Sequence, residues 1–285
     1  MVALAQSRDC RGDCLVVAPQ NHRRVLVTKI VVAVKYVPDA TADRTFSADN
    51  TVDRVGVDGL LSELDEYAVE QALQVIEAGD GEVTVLTVGP EQASDAVRKA
   101  LQMGAHAGVH VQDDAIHGSD AFATSLVLAE AIKKLDYDLV FFGMASTDAG
   151  LGVVPTLVAE RLGVPAVTYA SEITVDGDTV KIRRDGDVAT QDIEASGKLV
   201  VSVTDQTGEA RYPSFKGIMA AKKKDVQEWT LSDLGLDAGS VGLDNAWTKV
   251  ESFEPRPPRT AGEIVTDEGD GGAKLVEFLT AKKFV

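Results

Sequence analysis

Few residues in this 285-residue chain could do chemistry. Its histidines are His22, His106, His110 and His117, and its two cysteines, Cys10 and Cys14, stand in a CxxxC spacing near the start. His110, Asp113, Asp114 and His117 are close enough in sequence to suggest a metal cluster, because imidazole and carboxylate both suit a divalent cation. Their spacing fits neither one helix face nor one strand face, so a solvated acidic loop is the better reading. A cysteine pair with no histidine or further cysteine nearby is a weak metal signal, and so few cysteines exclude a disulfide scaffold. No Ser-His-Asp arrangement can be assembled. The chemistry that remains is binding. Three candidate loops stand at the carboxyl ends of expected strands: residues 87–94 (TVGPEQAS), residues 143–156 (GMASTDAGLGVVPT), and the entry to residues 61–68 (LSELDEYA). Backbone amides at a Gly-rich turn that opens a helix can cradle a phosphate. None of the loops is GxGxxG with an acidic residue about twenty positions on, and no GK[ST] occurs. Alone, the pattern fits nucleotide binding or tight packing turns equally well.

The elements that must position these loops alternate. Residues 29–37 (KIVVAVKYV) form an apolar run expected as a strand buried on both faces, followed by a polar loop from Asp39 to about Gly59. Residues 62–79 read as a helix, with Ser62 and Asp65 as a capping-box-like start and Gly79 as a stop. Strand 82–89, helix 90–104 with proline in its first turn, strand 107–111, helix 119–135 capped by Ser119, strand 138–143, helix 152–163 and strand 165–170 follow. This order predicts an α/β fold, a doubly wound, mostly parallel sheet of Rossmann-like, adenine-nucleotide-binding type. Residues 171–195 switch to period-two alternation broken by Asp-Gly turns, a small antiparallel meander, before another buried strand at 198–205. Three regions are expected: residues 1–28 as a disordered or non-native extension, 29–226 as the α/β domain, and 227–285 as an extended C-terminal arm. The prolines of 253–265 exclude regular helix there, and 271–284 reads as a short terminal helix.

Charge narrows the partners. With 28 Lys and Arg against 45 Asp and Glu, the net charge is −17, a surface that repels phosphate backbones and makes nucleic acid an unsuitable partner. The acidity is spread along the chain, which fits a salt-adapted organism or an ordinary acidic cytoplasmic protein. No apolar run approaches the roughly 20 residues of a membrane span, so no membrane insertion is expected. Against this background residues 211–229 (RYPSFKGIMAAKKKDVQEW) stand out, because Arg211, Lys216, Lys222, Lys223 and Lys224 surround apolar Phe215, Ile218 and Met219. Spacings of three and four allow a buried helix face ending in solvated lysines, which suit a helix C-terminus. That reading leaves Tyr212, Pro213 and Phe215, ahead of the helix, without a role.

The segment EARYPSFKGIMAAKKK closely resembles the pattern NEPRYPSLPNIMKAKKK of electron transfer flavoprotein beta subunits. VAVKYVPD, LDEYAVEQAL, VGPEQASDAVRKALQMGAHAGVHV, STDAGLGVVPTLVAERLGVPAVTYA, LSDLGLD and EPRPPRTAG resemble further segments of that family, from about Lys29 to the C-terminus. The resemblance implies an alpha/beta heterodimer in which FAD is held mostly by the alpha subunit. The beta subunit binds a second adenine nucleotide, usually AMP, and in electron-bifurcating members a second FAD. The complex carries electrons from dehydrogenases of the acyl-CoA type, in fatty acid oxidation, to a membrane quinone oxidoreductase. The beta subunit has no catalytic acid–base machinery of its own, and its C-terminal arm packs on the alpha subunit. Carried over by position, the resemblance places nucleotide contacts at Ala33, Ser62, Leu64, Asp65, Val88, Gly143, Ser146, Thr147, Asp148, Gly150, Gly152 and Val154. It places a partner-docking loop at Tyr212, Pro213, Phe215, Ile218 and Met219, with Phe215 where the family usually has Leu.

Some positions depart from the family pattern. Ser62-Glu63 replace Asn-Pro, and Val153-Val154-Pro155 replace Gln-Val/Thr-Gly, which removes a side-chain amide within reach of a phosphate. Asp148-Ala149-Gly150-Leu151 lacks the threonine hydroxyl of the bifurcating Asp-Gly-Asp-Thr, which favours AMP over FAD. Lys198-Leu199 and Lys216-Gly217 replace Leu-Pro and Pro-Asn. A stand-alone ATP-binding module of the stress-protein kind is the alternative of a different class. The missing triphosphate signature and the proline-rich arm weigh against it.

Overall fold

The computed structural model describes residues 28–42, 44–254, 257–259, 262 and 264–285. Cys10, Cys14, His22 and, apart from Thr28, the expected extension lie outside the described residues. The chain divides into two compact units, one running to Lys249 and one covering Val250–Val285.

The first unit is built on seven strands: β1 (Thr28–Ala33), β4 (Gly81–Val88), β5 (Ala107–Val111), β6 (Leu139–Gly143), β7 (Ala166–Ala170), β11 (Leu199–Val203) and β12 (Val226–Trp229). Their order is β12-β5-β4-β1-β6-β11-β7, and every pairing is parallel. Period-two geometry sends alternate residues to opposite faces. Ile30 and Val32 join one buried cluster with helices α1 (Glu63–Ala78) and α2 (Ser94–Met103). Val31 and Ala33 join a second with α3 (Ala121–Lys134) and α4 (Val154–Leu162). Both faces are therefore covered, which is why the strands read as continuous apolar runs rather than as alternation. The expected meander is present as β8 (Glu172–Asp176), β9 (Thr179–Asp185) and β10 (Thr190–Ser196), antiparallel in the order β10-β9-β8.

The run 29–37 is not one strand. It breaks after β1, and β2 (Tyr36–Pro38) leaves the sheet to pair antiparallel with β3 (Gly59–Leu61). The break puts Lys35 at the carboxyl edge of the sheet and closes the base of loop 39–58. Two caps also differ from expectation. Ser62 stands at the N-cap of α1 but its hydroxyl makes no cap bond, and the Asp65 carboxylate turns away from the helix to accept from Lys35 N at 2.8 Å. A buried strand end with an unpaired amide competes successfully for that carboxylate. Helix α3 is capped by Asp120, whose side chain accepts from Ala123 N at 3.0 Å; Ser119 Oγ instead accepts from Gly242 N at 2.8 Å.

Residues 211–224 contain helix α5 (Phe215–Ala221), whose N-cap Ser214 accepts from Gly217 N at 3.0 Å. Gly217 lies against the Gln102 carbonyl of α2, where a Cβ has no room. Ala221 is buried there, and Lys224 Nζ donates to Leu101 O at 2.8 Å. Phe215, Ile218 and Met219 are not a buried face. Phe215 is 81% exposed and Tyr212 91%, with Ile218 and Met219 partly exposed. Strand β12 follows at once and pairs with β5 at the sheet edge.

The second unit contains α6 (Gly271–Ala281), shorter than the expected 271–284, with an Asp270–Lys274 ion pair of 2.9 Å in its first turn. Its Leu275, Val276 and Phe278 are exposed. Among the described residues no helix is long and apolar enough to cross a membrane.

Candidate functional site

In an open parallel sheet a ligand sits beyond the carboxyl ends of the strands. Here the neighbouring ends of β4, β1 and β6 bring Val88, Ala33 and Gly143 to one edge, with Val88 one strand over from Ala33 and paired to Val111. Asp65 fixes the floor. It is buried at the first turn of α1 and accepts from the Lys35 and Gly143 amides, so one carboxylate ties α1 to two strand ends. Burial pushes its carboxyl up to about 7, against the pull of the Lys35 amide and ammonium. Gly143 is required by close approach. A Cβ there would stand 2.6 Å from Asp65 Oδ1 and 2.7 Å from Leu64 O, both held in place by the helix. Gly143→Ala therefore displaces the α1 entry. A loss of about 1–3 kcal/mol in chemical denaturation is expected from overpacking of this kind.

Asp148 is the hub of the loop after β6. Its side chain is 0% exposed and accepts from Lys35 Nζ at 2.8 Å, from Arg54 and from its neighbour Ala149 N at 2.7 Å. Burial alone would push its carboxyl up; the Lys35 ammonium and Arg54 guanidinium outweigh that and hold it well below the usual carboxylate range. Burial also draws the Lys35 ammonium down, with Asp148 opposing. Lys35 Nζ reaches Ser146 Oγ at 3.4 Å, and Arg44 Nη2 donates to Thr147 O at 2.6 Å. Gly150 N closes the loop onto Ser146 O at 2.9 Å. Gly152 O accepts from Tyr169 Oη at 3.1 Å just ahead of α4, where Val154 is the first helical residue.

Two cations, Lys35 from the break after β1 and Arg54 from loop 39–58, thus face one ionised carboxylate, and Arg44 of the same loop bonds the backbone beside it, in a chain of net charge −17. Among the described residues, the buried side-chain polar atoms without a partner are Arg44 Nη1, Ser62 Oγ and Thr147 Oγ1. All three belong to this edge: Ser62 opens α1, and Arg44 bonds the backbone of Thr147. Leaving a buried donor unpaired costs about 1–3 kcal/mol. Surplus positive charge with free donors is the setting an anionic, hydroxyl-bearing ligand completes.

His110 and His117 bond different partners. His110 is buried in β5 with Nε2 3.0 Å from Gly89 O, while His117 Nε2 lies 2.7 Å from Asp49 Oδ2 of loop 39–58. Lys35, Arg44 and Arg54 were not legible as site residues. Their only signal in the sequence is basic residues in and beside a polar loop of an acidic chain.

A family model described as the electron transfer flavoprotein domain matches residues 49–234. A protein of Mycobacterium leprae named electron transfer flavoprotein subunit beta is 46% identical over 266 residues, covering 91% of this chain and all of that protein. The chain belongs to the electron transfer flavoprotein beta-subunit family. Proteins of the same name from Clostridium acetobutylicum and Megasphaera elsdenii are 36% and 32% identical, covering 83% and 90% of this chain and 91% and 100% of their own. Membership supports a role in an electron transfer flavoprotein, and the subunit name implies an alpha partner. The matched region contains the Asp148 hub, the orphaned donors of Ser62 and Thr147, and the exposed Tyr212 and Phe215.

Proposed function

We propose that this chain is the beta half of a cytoplasmic alpha/beta electron carrier and that its strand-end site holds AMP. The observation that carries this reading is the set of unpartnered buried donors, Arg44 Nη1, Ser62 Oγ and Thr147 Oγ1, beside Lys35, Arg54 and Asp148. Guanidinium and ammonium groups suit a phosphate, and hydroxyls suit a phosphate or ribose. Ala33, Ser62, Leu64, Asp65, Val88 and the loop residues Gly143, Ser146, Thr147, Asp148, Gly150, Gly152 and Val154 would line the nucleotide. Lys35, Arg44 and Arg54 add charge that the family resemblance did not point to. The FAD, held mostly by alpha, supplies the electron-carrying chemistry.

Electrons come from dehydrogenases of the acyl-CoA type and go to a quinone oxidoreductase. Tyr212, Pro213, Phe215, Ile218 and Met219 are the docking residues. A large exposed aromatic pair, Tyr212 just ahead of a short capped helix and Phe215 as its first residue, is suited to anchor in a partner's pocket. Beyond β12 and the rest of the first unit, the apolar residues exposed on α6 support packing of the end of the expected C-terminal arm, residues 250–285, on alpha.

Co-expression with an alpha subunit is expected to give a yellow complex, and this chain alone little flavin. In thermal-shift measurements on the chain, AMP is expected to raise Tm more than ATP or FAD does. A yellow, stable homodimer, or a response to ATP above all, would instead mark a stand-alone nucleotide-binding module.

A further inference from the structure

The root of the exposed segment is held by one side chain. Arg211 Nε donates to Glu70 Oε2 at 2.6 Å and Nη2 to Glu70 Oε1 at 3.0 Å. Nη1 and Nη2 donate to Glu77 Oε1 and Oε2 at 2.5 and 2.9 Å. The Arg211 backbone amide adds a bond to Glu70 Oε2 at 3.1 Å. Both carboxylates lie on α1, seven residues apart and hence on one face after two turns. Glu70 is buried, with a side chain only 7% exposed, and it also accepts from Gln74 Nε2 at 2.8 Å. Nearby, Gln71 Nε2 donates to Thr207 O at 3.0 Å. On the far side of Phe215 the segment is pinned to α2 through Gly217, Ala221 and Lys224. Between these two attachments stand Tyr212 and Phe215, almost fully exposed.

We infer that the Arg211–Glu70–Glu77 clamp is a positioning device that presents Tyr212 and Phe215 to an electron-donating dehydrogenase; the inference rests on the docking reading above. A bidentate guanidinium–carboxylate pair fixes direction as well as distance, and here it does so twice from one planar group. Order imposed before docking need not be imposed on docking, so the clamp acts on encounter affinity rather than on the electron-transfer step. Burial alone would raise the Glu70 carboxyl, but Arg211 outweighs it and holds both Glu70 and Glu77 below their usual values. The clamp therefore stays closed through the neutral range.

The test uses the full alpha/beta complex. Arg211→Gln is expected to raise the KM of a dehydrogenase for the complex about tenfold, with kcat changed far less and nucleotide content unchanged. Arg211→Lys, which keeps the charge but not the fork, is expected to fall between the two. Glu77→Gln, removing the exposed half of the clamp, is expected to move KM in the same direction by a smaller factor, and it decides the question if Arg211→Gln does not assemble. A Phe215→Ala complex is measured in parallel. If Phe215→Ala leaves KM unchanged, the docking reading itself falls. If Phe215→Ala raises KM while the assembled clamp variants do not, the positioning inference falls alone. Parallel loss of kcat and nucleotide in the clamp variants would also overturn it, because that is the signature of a merely structural pair.

Discussion

A Phe215→Ala variant is expected to assemble with alpha, to keep its nucleotide, and to accept electrons from a dehydrogenase about thirtyfold more slowly at limiting concentration. The size follows from the environment. Phe215 is 81% exposed, so its truncation removes little from the core, while an aromatic anchor seated in a partner's pocket is commonly worth about 2 kcal/mol or more. A tenfold change corresponds to about 1.4 kcal/mol. Helix α5 should survive, because its cap is Ser214 and its attachments are Gly217, Ala221 and Lys224 rather than Phe215. The check is kcat/KM with a dehydrogenase, alongside chemical reduction of the flavin as a control that needs no docking. An unfolded variant would mean that Phe215 belongs to a core. Unchanged kcat/KM would mean that the surface is not used.

The second large effect is on stability and depends on pH. Asp65 has a folded pKa pushed up to about 7 by burial, above the ordinary aspartate value. Between the two values the folded state binds a proton that the unfolded chain releases. This group's contribution therefore favours folding below about pH 4, and stability is lost as pH rises toward 7. About 1.4 kcal/mol per pKa unit puts the total at a few kcal/mol. Asp65→Asn has no such titration, but it offers one acceptor fewer to the Lys35 and Gly143 amides and is the less stable protein at acid pH. The gap between wild type and variant is expected to narrow as pH rises from about 4 to 7, read by denaturant midpoints at each pH. A gap that stays flat over this window would show an Asp65 pKa held at or below the ordinary aspartate value by its two amide donors. Asp148, whose pKa is depressed, acts below this window and does not confuse the result.

The apolar runs alternating with helices made the doubly wound sheet legible, because strands covered on both faces carry few polar residues to disguise them. The loop from Gly143 to Val154 was legible for a related reason: glycines after a strand mark places where backbone comes close. The cations were not. Lys35 sits in a break hidden inside an apolar run, and Arg44 and Arg54 lie in a loop whose base is closed by the short β2–β3 pair. No periodicity reports a contact between residues 35, 54 and 148, and only the fold brings them together. Ser62 was read correctly as a helix start and wrongly as a working cap. Spacing located the position but not the competing strand-end amides that take Asp65. In residues 211–224, spacing suggested a buried face for Phe215, Ile218 and Met219. The helix is instead held by its small residues, Gly217 and Ala221, which leave the large ones outside.

The most direct measurement is to denature the purified alpha/beta complex and to identify and count the released nucleotides by mass spectrometry. One FAD and one AMP per heterodimer are expected. Two FAD would place a flavin in the strand-end site and mark an electron-bifurcating member. One FAD with no second adenine nucleotide would contradict the assignment of Lys35, Arg44, Arg54, Ser62 and Thr147 as a nucleotide site.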